Sequence, residues 1–206
     1  LKKQDLKELE KITKNTDIII LSDEVYEHLT FDGTEHQSVC RYAGLAERSI
    51  AVYSFGKTFH VTGWKTGYVV GPSELMTEFR KAHQFVVFSC NTPLQYALND
   101  YLQNSENYLS LGKFYQEKRD YFIKGIKNSR FKIIPANGTY FQLLHYSAIT
   151  KEKDTDYAVR LTKENKLASI PVSVFYNKPV DNKVLRFCFA KKKETLDKAI
   201  EILNKV

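Results

Sequence analysis

Residues 54–68 read SFGKTFHVTGWKTGY, and this stretch indicates most about the fold and the chemistry of the chain. It combines a serine, two lysines and three glycines with the single tryptophan, between two apolar segments that predict strands. Glycine lets a backbone approach a ligand closely, while hydroxyls and lysines bind phosphate. A lysine among apolar neighbours can also have its pKa lowered until its amine is a nucleophile. An exposed turn between two strands is the alternative, and these residues alone do not exclude it.

Strand and helix patterns alternate on both sides of this stretch, which predicts an α/β fold. Short apolar runs predict strands at 18–21, 49–54, 66–70, 131–135, 139–146, 168–171 and 183–189. Helical patterns cover residues 73–89, 93–103, 106–128 and 156–165, an amphipathic first helix through Leu6, Leu9 and Ile12, and a last helix through Leu196, Ala199, Ile200 and Leu203. Thr92 and Pro93 are typical of a helix start, with Thr92 as the N-cap and Pro93 as the first helical residue. Composition changes after Asn128, so we expect one part over residues 1–128, including the long helix, and a smaller domain over 129–206.

Two further clusters carry groups that can do chemistry. Residues 22–26 read SDEVY at the end of the first predicted strand, the edge where open α/β sheets place their ligands. Asp23 can also serve only to cap a turn, and Tyr26 only to pack. Arg186 lies inside an apolar strand, where a buried guanidinium needs an anion. That anion is either a structural carboxylate or the carboxylate of a substrate.

Composition excludes several classes of protein. With 43% hydrophobic and 27% charged residues, the chain has enough apolar surface for a folded core. It has no apolar run long enough to cross a membrane and no export signal, so we expect a cytoplasmic protein that does not bind membranes. The net charge of +7 is scattered, which argues against nucleic acid. The three cysteines and five histidines show no metal-binding spacing, so we expect neither a disulfide framework nor a metal site.

Taken in order, the motifs resemble those of the class I and II aminotransferases, pyridoxal-phosphate enzymes of fold type I. The matching segments are SDEVY (22–26), SFGKTF (54–59), TGWKTGY (62–68) and LRFCFA (185–190), and the resemblance covers nearly the whole chain. Residues 138–141 and 170–175 look most like the methionine and kynurenine/glutamine aminotransferase branch. The resemblance implies the second half of a fold type I large domain, with a mostly parallel sheet and flanking helices, followed by a small C-terminal α/β domain.

The resemblance also implies a role for each residue that matches a family motif. Lys57 is expected to form the Schiff base with the aldehyde of pyridoxal 5′-phosphate and to act as the base that moves the substrate proton. Asp23 is expected to pair with the pyridine nitrogen, and Tyr26 to donate to the ring oxygen. Ser54 and Lys65 are expected to hold the phosphate. Many relatives have arginine at the position of Lys65, and a lysine offers a point charge in place of a fork.

Arg186 is expected, on the same resemblance, to bind the α-carboxylate of the substrate through two parallel hydrogen bonds. The implied reaction is a two-stage, ping-pong transfer of an amino group from an amino acid to a 2-oxo acid. Methionine, aromatic amino acids or kynurenine are the donors that the branch implies. Two alternatives stay open: a pyridoxal-phosphate-dependent β-lyase that acts on cysteine conjugates, and a non-catalytic, basic binding module.

The chain starts at Leu1 and lacks the segments that form the first half of the family's fold. These are the phosphate-binding glycine segment, the aromatic residue stacked on the cofactor and the asparagine of an N-P-x-G motif. We therefore expect a C-terminal part of a longer enzyme that carries about half of an active site. Because members of the family share their sites across a subunit interface, we also expect a homodimer.

Overall fold

Helices and strands alternate along most of the chain, as the sequence predicts. The structure is a computed structural model, and it describes residues 1–178 and 180–206. The chain divides into two compact units, Leu1–Leu111 and Gly112–Val206. Each unit has its own sheet and its own helices. Within the described residues, no helix is both long and apolar enough to span a membrane.

The first unit is built on a three-stranded sheet. In chain order its elements are α1 (Lys3–Thr13), β1 (Ile20–Asp23), a 3-10 turn (Val39–Arg41), α2 (Ala43–Ala46), β2 (Ser49–Ser54), α3 (Phe55–Thr58), a second 3-10 turn (Thr62–Trp64), β3 (Gly67–Val70), α4 (Ser73–Val86), α5 (Thr92–Leu102) and α6 (Glu106–Leu109). The strand order is β1-β2-β3. β1 and β2 are parallel, with Ile20 opposite Ser49 and Asp23 opposite Val52, whereas β3 is antiparallel to β2.

One face of this sheet forms a core with α1 and α2. Leu6 of α1 and Leu45 of α2 are buried against the inner residues of β2, Ala51 and Tyr53. Ile12 was expected on the same stripe but is 69% exposed, whereas Thr13 is only 3% exposed. The reason is helical geometry, since a residue seven positions after Leu6 returns to its face and one six positions later is rotated away.

The apolar run at residues 18–21, which includes the start of β1, is more exposed than the sequence predicts. Ile18, Ile19 and Leu21 were expected in a buried strand, yet they are 50%, 59% and 74% exposed. Among the residues that the structure describes, β1 pairs with β2 alone, so its other edge has no neighbouring strand there. The apolar pattern correctly predicts a strand, but the burial of its side chains depends on which elements lie beside that strand.

The second unit is built on a four-stranded antiparallel sheet. Its elements are α7 (Leu111–Gly125), which begins at the boundary, β4 (Lys132–Ile134), β5 (Phe141–His145), α8 (Asp154–Asn165), β6 (Ile170–Pro171), a 3-10 turn (Ser173–Phe175), β7 (Val184–Cys188) and α9 (Lys193–Lys205). The strand order is β4-β5-β7-β6. Leu144 of β5, Leu185 of β7 and Leu203 of α9 are completely buried.

The long helix expected over residues 106–128 is interrupted. It is divided at Ser110 into α6 and α7. α7 belongs with the second unit, because the position of a Cβ on its Gly125 lies 2.6 Å from Ile200 of α9, so the two helices pack closely there. The boundary between the two units therefore lies at the start of α7, between Leu111 and Gly112, whereas the composition change lies after this helix. The expected division into domains 1–128 and 129–206 stays a prediction.

Candidate functional site

A cavity of about 430 Å³ lies in the first unit, beside the carboxyl end of β2. Ser54, Lys57 and Lys65 all line it, together with Thr66. Three of the residues expected to hold a phosphate-bearing cofactor are thus brought to one cavity. They supply a lysine amine, a hydroxyl and a second cation, which suits a ligand that carries both a phosphate and an aldehyde.

The chain turns sharply after β2, and this turn sets the position of Lys57. Ser54 ends the strand and α3 follows immediately as a single helical turn, closed by a 2.8 Å hydrogen bond from the Phe59 amide to the Phe55 carbonyl. A Cβ on Gly56 would lie 3.0 Å from the Cα of Thr62, so the following loop packs directly on this turn. Lys57 is half-buried as a result, with its side chain at the cavity wall.

The loop from α3 to β3 presents Lys65 to the same cavity. Lys65 is exposed and has a left-handed backbone, with φ of 54°. Thr66, which follows it, is buried and donates a 3.1 Å hydrogen bond to the Trp64 carbonyl. Gly67 then begins β3 opposite Ser54. These contacts fix the backbone on both sides of Lys65 and leave its side chain free to meet a ligand.

Asp23 and Tyr26 lie at the end of the neighbouring strand. Asp23 is exposed, and its carboxylate accepts a 3.3 Å hydrogen bond from the Val25 amide. Tyr26 is half-buried in the turn that follows, where its carbonyl accepts from the Leu29 amide at 2.9 Å. Val25, between them in sequence, lines the cavity, but Asp23 and Tyr26 are not among its lining residues. Both lie at the same edge of the sheet as Ser54, as expected for the ends of parallel strands.

Glu24 is the most strongly held carboxylate of this edge, although no sequence pattern distinguishes it from its neighbours. It is 5% exposed and accepts hydrogen bonds from Tyr53 (2.9 Å), Ser22 (2.9 Å) and the Val39 amide (3.0 Å), with the His36 ring nitrogen 3.0 Å away. Burial alone raises its pKa, but the bonds from His36, Val39 and Tyr53 outweigh burial and lower the pKa to about 2.

Two tyrosine rings connect Glu24 to the cavity wall. Tyr53 and Tyr68, both lining residues, are stacked with centroids 4.6 Å apart. The Tyr68 hydroxyl donates to Glu27 at 2.7 Å. Burial and the neighbouring carboxylates, Glu24 for Tyr53 and Glu27 for Tyr68, raise the pKa of each phenol, so both remain protonated donors.

Arg186 lies in the second unit, in the middle of β7. It is opposite Leu143 of β5 and Ile170 of β6. Its guanidinium carbon lies 4.1 Å from the ring centroid of Phe141 and 5.0 Å from that of Phe175. Its Nε is buried and has no hydrogen-bond partner among the described residues. A buried guanidinium nitrogen without a partner is typical of a site that an anion completes.

The described residues contain no group of three or more histidine, cysteine, aspartate or glutamate side chains placed to hold a metal ion. Lys57, Ser54 and Lys65 share one cavity of the first unit, and Asp23 and Tyr26 lie at the edge beside it. The sequence model described as "Aminotransferase class I and II" matches residues 1–203.

The chain belongs to the class I and II aminotransferase family. It is 47% identical to methionine aminotransferase from Escherichia coli (strain K12), an alignment that covers 92% of this chain and 50% of that protein. It is 34% identical to human kynurenine–oxoglutarate transaminase 3, over 98% of this chain and 49% of the relative. The chain thus spans about half the length of the curated relatives it matches. Family members depend on pyridoxal phosphate.

Solved structures of aminotransferases confirm the expected fold class. An Escherichia coli protein described as having a methionine aminotransferase function matches with a TM-score of 0.96 and 44% identity, over 100% of this chain and 55% of that one. N-Succinyldiaminopimelate aminotransferase from Mycobacterium tuberculosis matches with a TM-score of 0.91 and 31% identity, over 98% and 53% of the two chains. The family recognised from the motifs and its α/β fold are both confirmed.

Proposed function

We propose that the protein carrying this chain is a pyridoxal-phosphate-dependent aminotransferase that moves an amino group from an amino acid to a 2-oxo acid. The observation that carries the proposal is the placement of Lys57, Ser54 and Lys65 around one cavity in a chain of this family. The cofactor, when bound, supplies an aldehyde for the amine and an electron-withdrawing ring. Everything else in the reaction depends on how the side chains bind, orient and exchange protons.

Each side chain of the cavity edge then has a defined task. Lys57 would supply the amine that holds the cofactor through its aldehyde, and once free that amine would take up and return the substrate proton. Asp23 would hold the ring nitrogen in its protonated form, and Tyr26 would donate to the ring oxygen. The Ser54 hydroxyl and the Lys65 ammonium would hold the phosphate, with the flexible lysine providing charge without a fixed geometry.

Arg186 binds the α-carboxylate of the substrate in this proposal. Its partnerless Nε supports the assignment, because a carboxylate would supply the missing acceptor. The flanking rings of Phe141 and Phe175 hold the guanidinium plane in place. Methionine, aromatic amino acids and kynurenine are the donors we propose, since two of the similar proteins are named for methionine and kynurenine.

We also propose that the protein is a cytoplasmic homodimer. All three cysteines are unpaired, which fits a reducing compartment. Phe85 and Phe88 at the end of α4 are 87% and 83% exposed, and large apolar side chains this exposed fit a subunit interface. Sedimentation of the Phe85→Ser/Phe88→Ser variant should show a weaker dimer than the control Val159→Ser, another exposed apolar position. If the double variant dimerises as strongly as the control, Phe85 and Phe88 do not lie in the subunit interface.

The test of the function uses the protein at its full natural length with added pyridoxal phosphate. We expect a visible absorption band from the lysine-bound cofactor and transfer of the amino group to a 2-oxo acid. Lys57→Ala should lose both, whereas Lys65→Ala should keep the band and bind the cofactor more weakly. Ammonia released without any oxo-acid acceptor would favour a β-lyase, and a wild-type protein without the band would rule out the proposal.

A further inference from the structure

Glu24 is a buried carboxylate that the proposed reaction does not use. It is 5% exposed and holds two other parts of the first unit against the end of β1. Its Oε2 meets the Tyr53 hydroxyl of β2 and the ring of His36, and its Oε1 meets the Val39 amide. His36 and Val39 belong to the segment between β1 and α2, so one side chain fixes both that segment and the central strand.

Asp23 and Glu24 point to opposite faces of the sheet, because successive residues of an extended strand alternate. The Glu24 amide donates to the Val52 carbonyl at 2.9 Å and so continues the pairing of β1 with β2 past Asp23. Ser22, two residues before Glu24, shares its face and donates to its Oε1 at 2.9 Å. With the backbone and the Glu24 side chain both fixed, Asp23 has little freedom to rotate away from its own face.

The groups that surround Glu24 are suited to keep it ionised and still. His36 is 31% exposed at its side chain and lies on the solvent side of the cluster. Tyr53 also contacts the Ser38 hydroxyl at 3.2 Å, so its own hydroxyl is oriented toward Glu24. Glu27 and His28 lie on the following turn, with the His28 ring nitrogen 3.6 Å from the Glu27 carboxylate. Cys40 and Tyr68 are further titratable groups near Tyr53 and Glu24.

We propose that Glu24 is a positioning residue, which sets the direction of the Asp23 carboxylate and of the turn that carries Tyr26. The inference rests on the proposed function, since it assumes that Asp23 pairs with the ring nitrogen of the cofactor. Glu24 itself is not among the residues that line the cavity. Its effect passes through the backbone of residues 22–26, which its hydrogen bonds hold in register with β2.

The test measures the pH at which the visible band of the bound cofactor titrates, in the full-length holoprotein. Asp23 keeps a positive charge on the ring, and that charge disfavours a proton on the nitrogen that Lys57 contributes. If Glu24→Gln lets Asp23 move, the nitrogen keeps its proton to higher pH, and the midpoint should rise by more than about half a pH unit. Cofactor affinity should fall about tenfold, equal to about 1.4 kcal/mol.

Asp154→Asn is the matched control, because Asp154 is another buried carboxylate, 1% exposed and bonded to the amide and hydroxyl of Ser173 in the second unit. It should lower stability without moving the titration. Tyr53→Phe removes one donor to Glu24 and should shift the midpoint of the titration in the same direction by a smaller amount. This variant therefore tests the proposal even if Glu24→Gln fails to fold. A band that titrates identically in wild type, Glu24→Gln and Tyr53→Phe overturns the inference, whereas a wild type without the band overturns the proposed function itself.

Discussion

Gly67 shows how one residue type is imposed by a close backbone contact. A Cβ at this position would lie 2.2 Å from the Tyr53 carbonyl oxygen, which is part of the neighbouring strand and has no flexible end to move. Gly67 also pairs with Ser54, so the same contact holds β3 against the strand that ends at the cavity. Any larger residue must push β2 and β3 apart.

Gly67→Ala should therefore destabilise the protein by about 1–3 kcal/mol, as overpacking does elsewhere. Gly63→Ala is the control, because a Cβ there has no atom within 4 Å, and its effect should stay within about 0.5 kcal/mol. Urea unfolding followed by circular dichroism measures both changes. Equal unfolding midpoints for the two variants would show that the contact at Gly67 does not restrict the residue.

Glu24 makes stability depend on pH in a defined direction. Its pKa is about 2 in the folded chain against 4.5 for a free glutamate, so its stabilisation is complete above about pH 4.5 and is lost as the pH falls toward 2. The difference corresponds to on the order of 3 kcal/mol. Unfolding free energies of wild type should fall more steeply through this range than those of Glu24→Gln. If the unfolding free energies of the two proteins fall equally with pH, the pKa of Glu24 is not lowered by folding.

At the scale of single elements, local sequence signals place most strands and helices but not all of their ends. The strand predicted at 49–54 is β2 at both ends, since an alternating segment is followed at once by the glycine-containing turn. The helix predicted at 93–103 is α5, one residue longer at the start and one shorter at the end. The interruption at Ser110 was not predicted, although Gly112 lies two residues after it, because a single glycine inside a helical pattern is often tolerated.

The start of α5 gives a prediction at this scale. The sequence favoured Thr92 as the N-cap, whereas in the structure Asn91 is the cap and accepts a 3.3 Å hydrogen bond from the Leu94 amide. Asn91→Ala should cost about 1 kcal/mol, as the loss of an N-cap does. Thr92→Ala should cost clearly less, and thermal unfolding of the two variants measures the difference. The reverse order would restore Thr92 as the cap.

At the scale of the whole molecule, the motifs were sufficient to recognise the family. The Glu24 cluster and the exposure of residues 18–21 could be seen only in the structure, because they depend on contacts between distant parts of the chain. The expected roles of Lys57 and Arg186 depend on matching short segments, which a sequence displays directly. The Glu24 cluster joins residues 24, 36, 39 and 53, and no local pattern connects such separated positions. The exposure of the apolar residues at 18–21 was not predicted either, because it depends on which elements lie beside the strand.

Lys57 is the residue that we propose holds the cofactor, and chemical trapping identifies that residue directly. Borohydride reduction of the full-length holoprotein fixes pyridoxal phosphate to the lysine that carries it, and peptide mass spectrometry then locates the modified residue. We expect one pyridoxyl-phosphate group, on Lys57, with Lys65 unmodified. A label on Lys65 or on another lysine, or no label in a protein that transfers amino groups, would contradict the proposal.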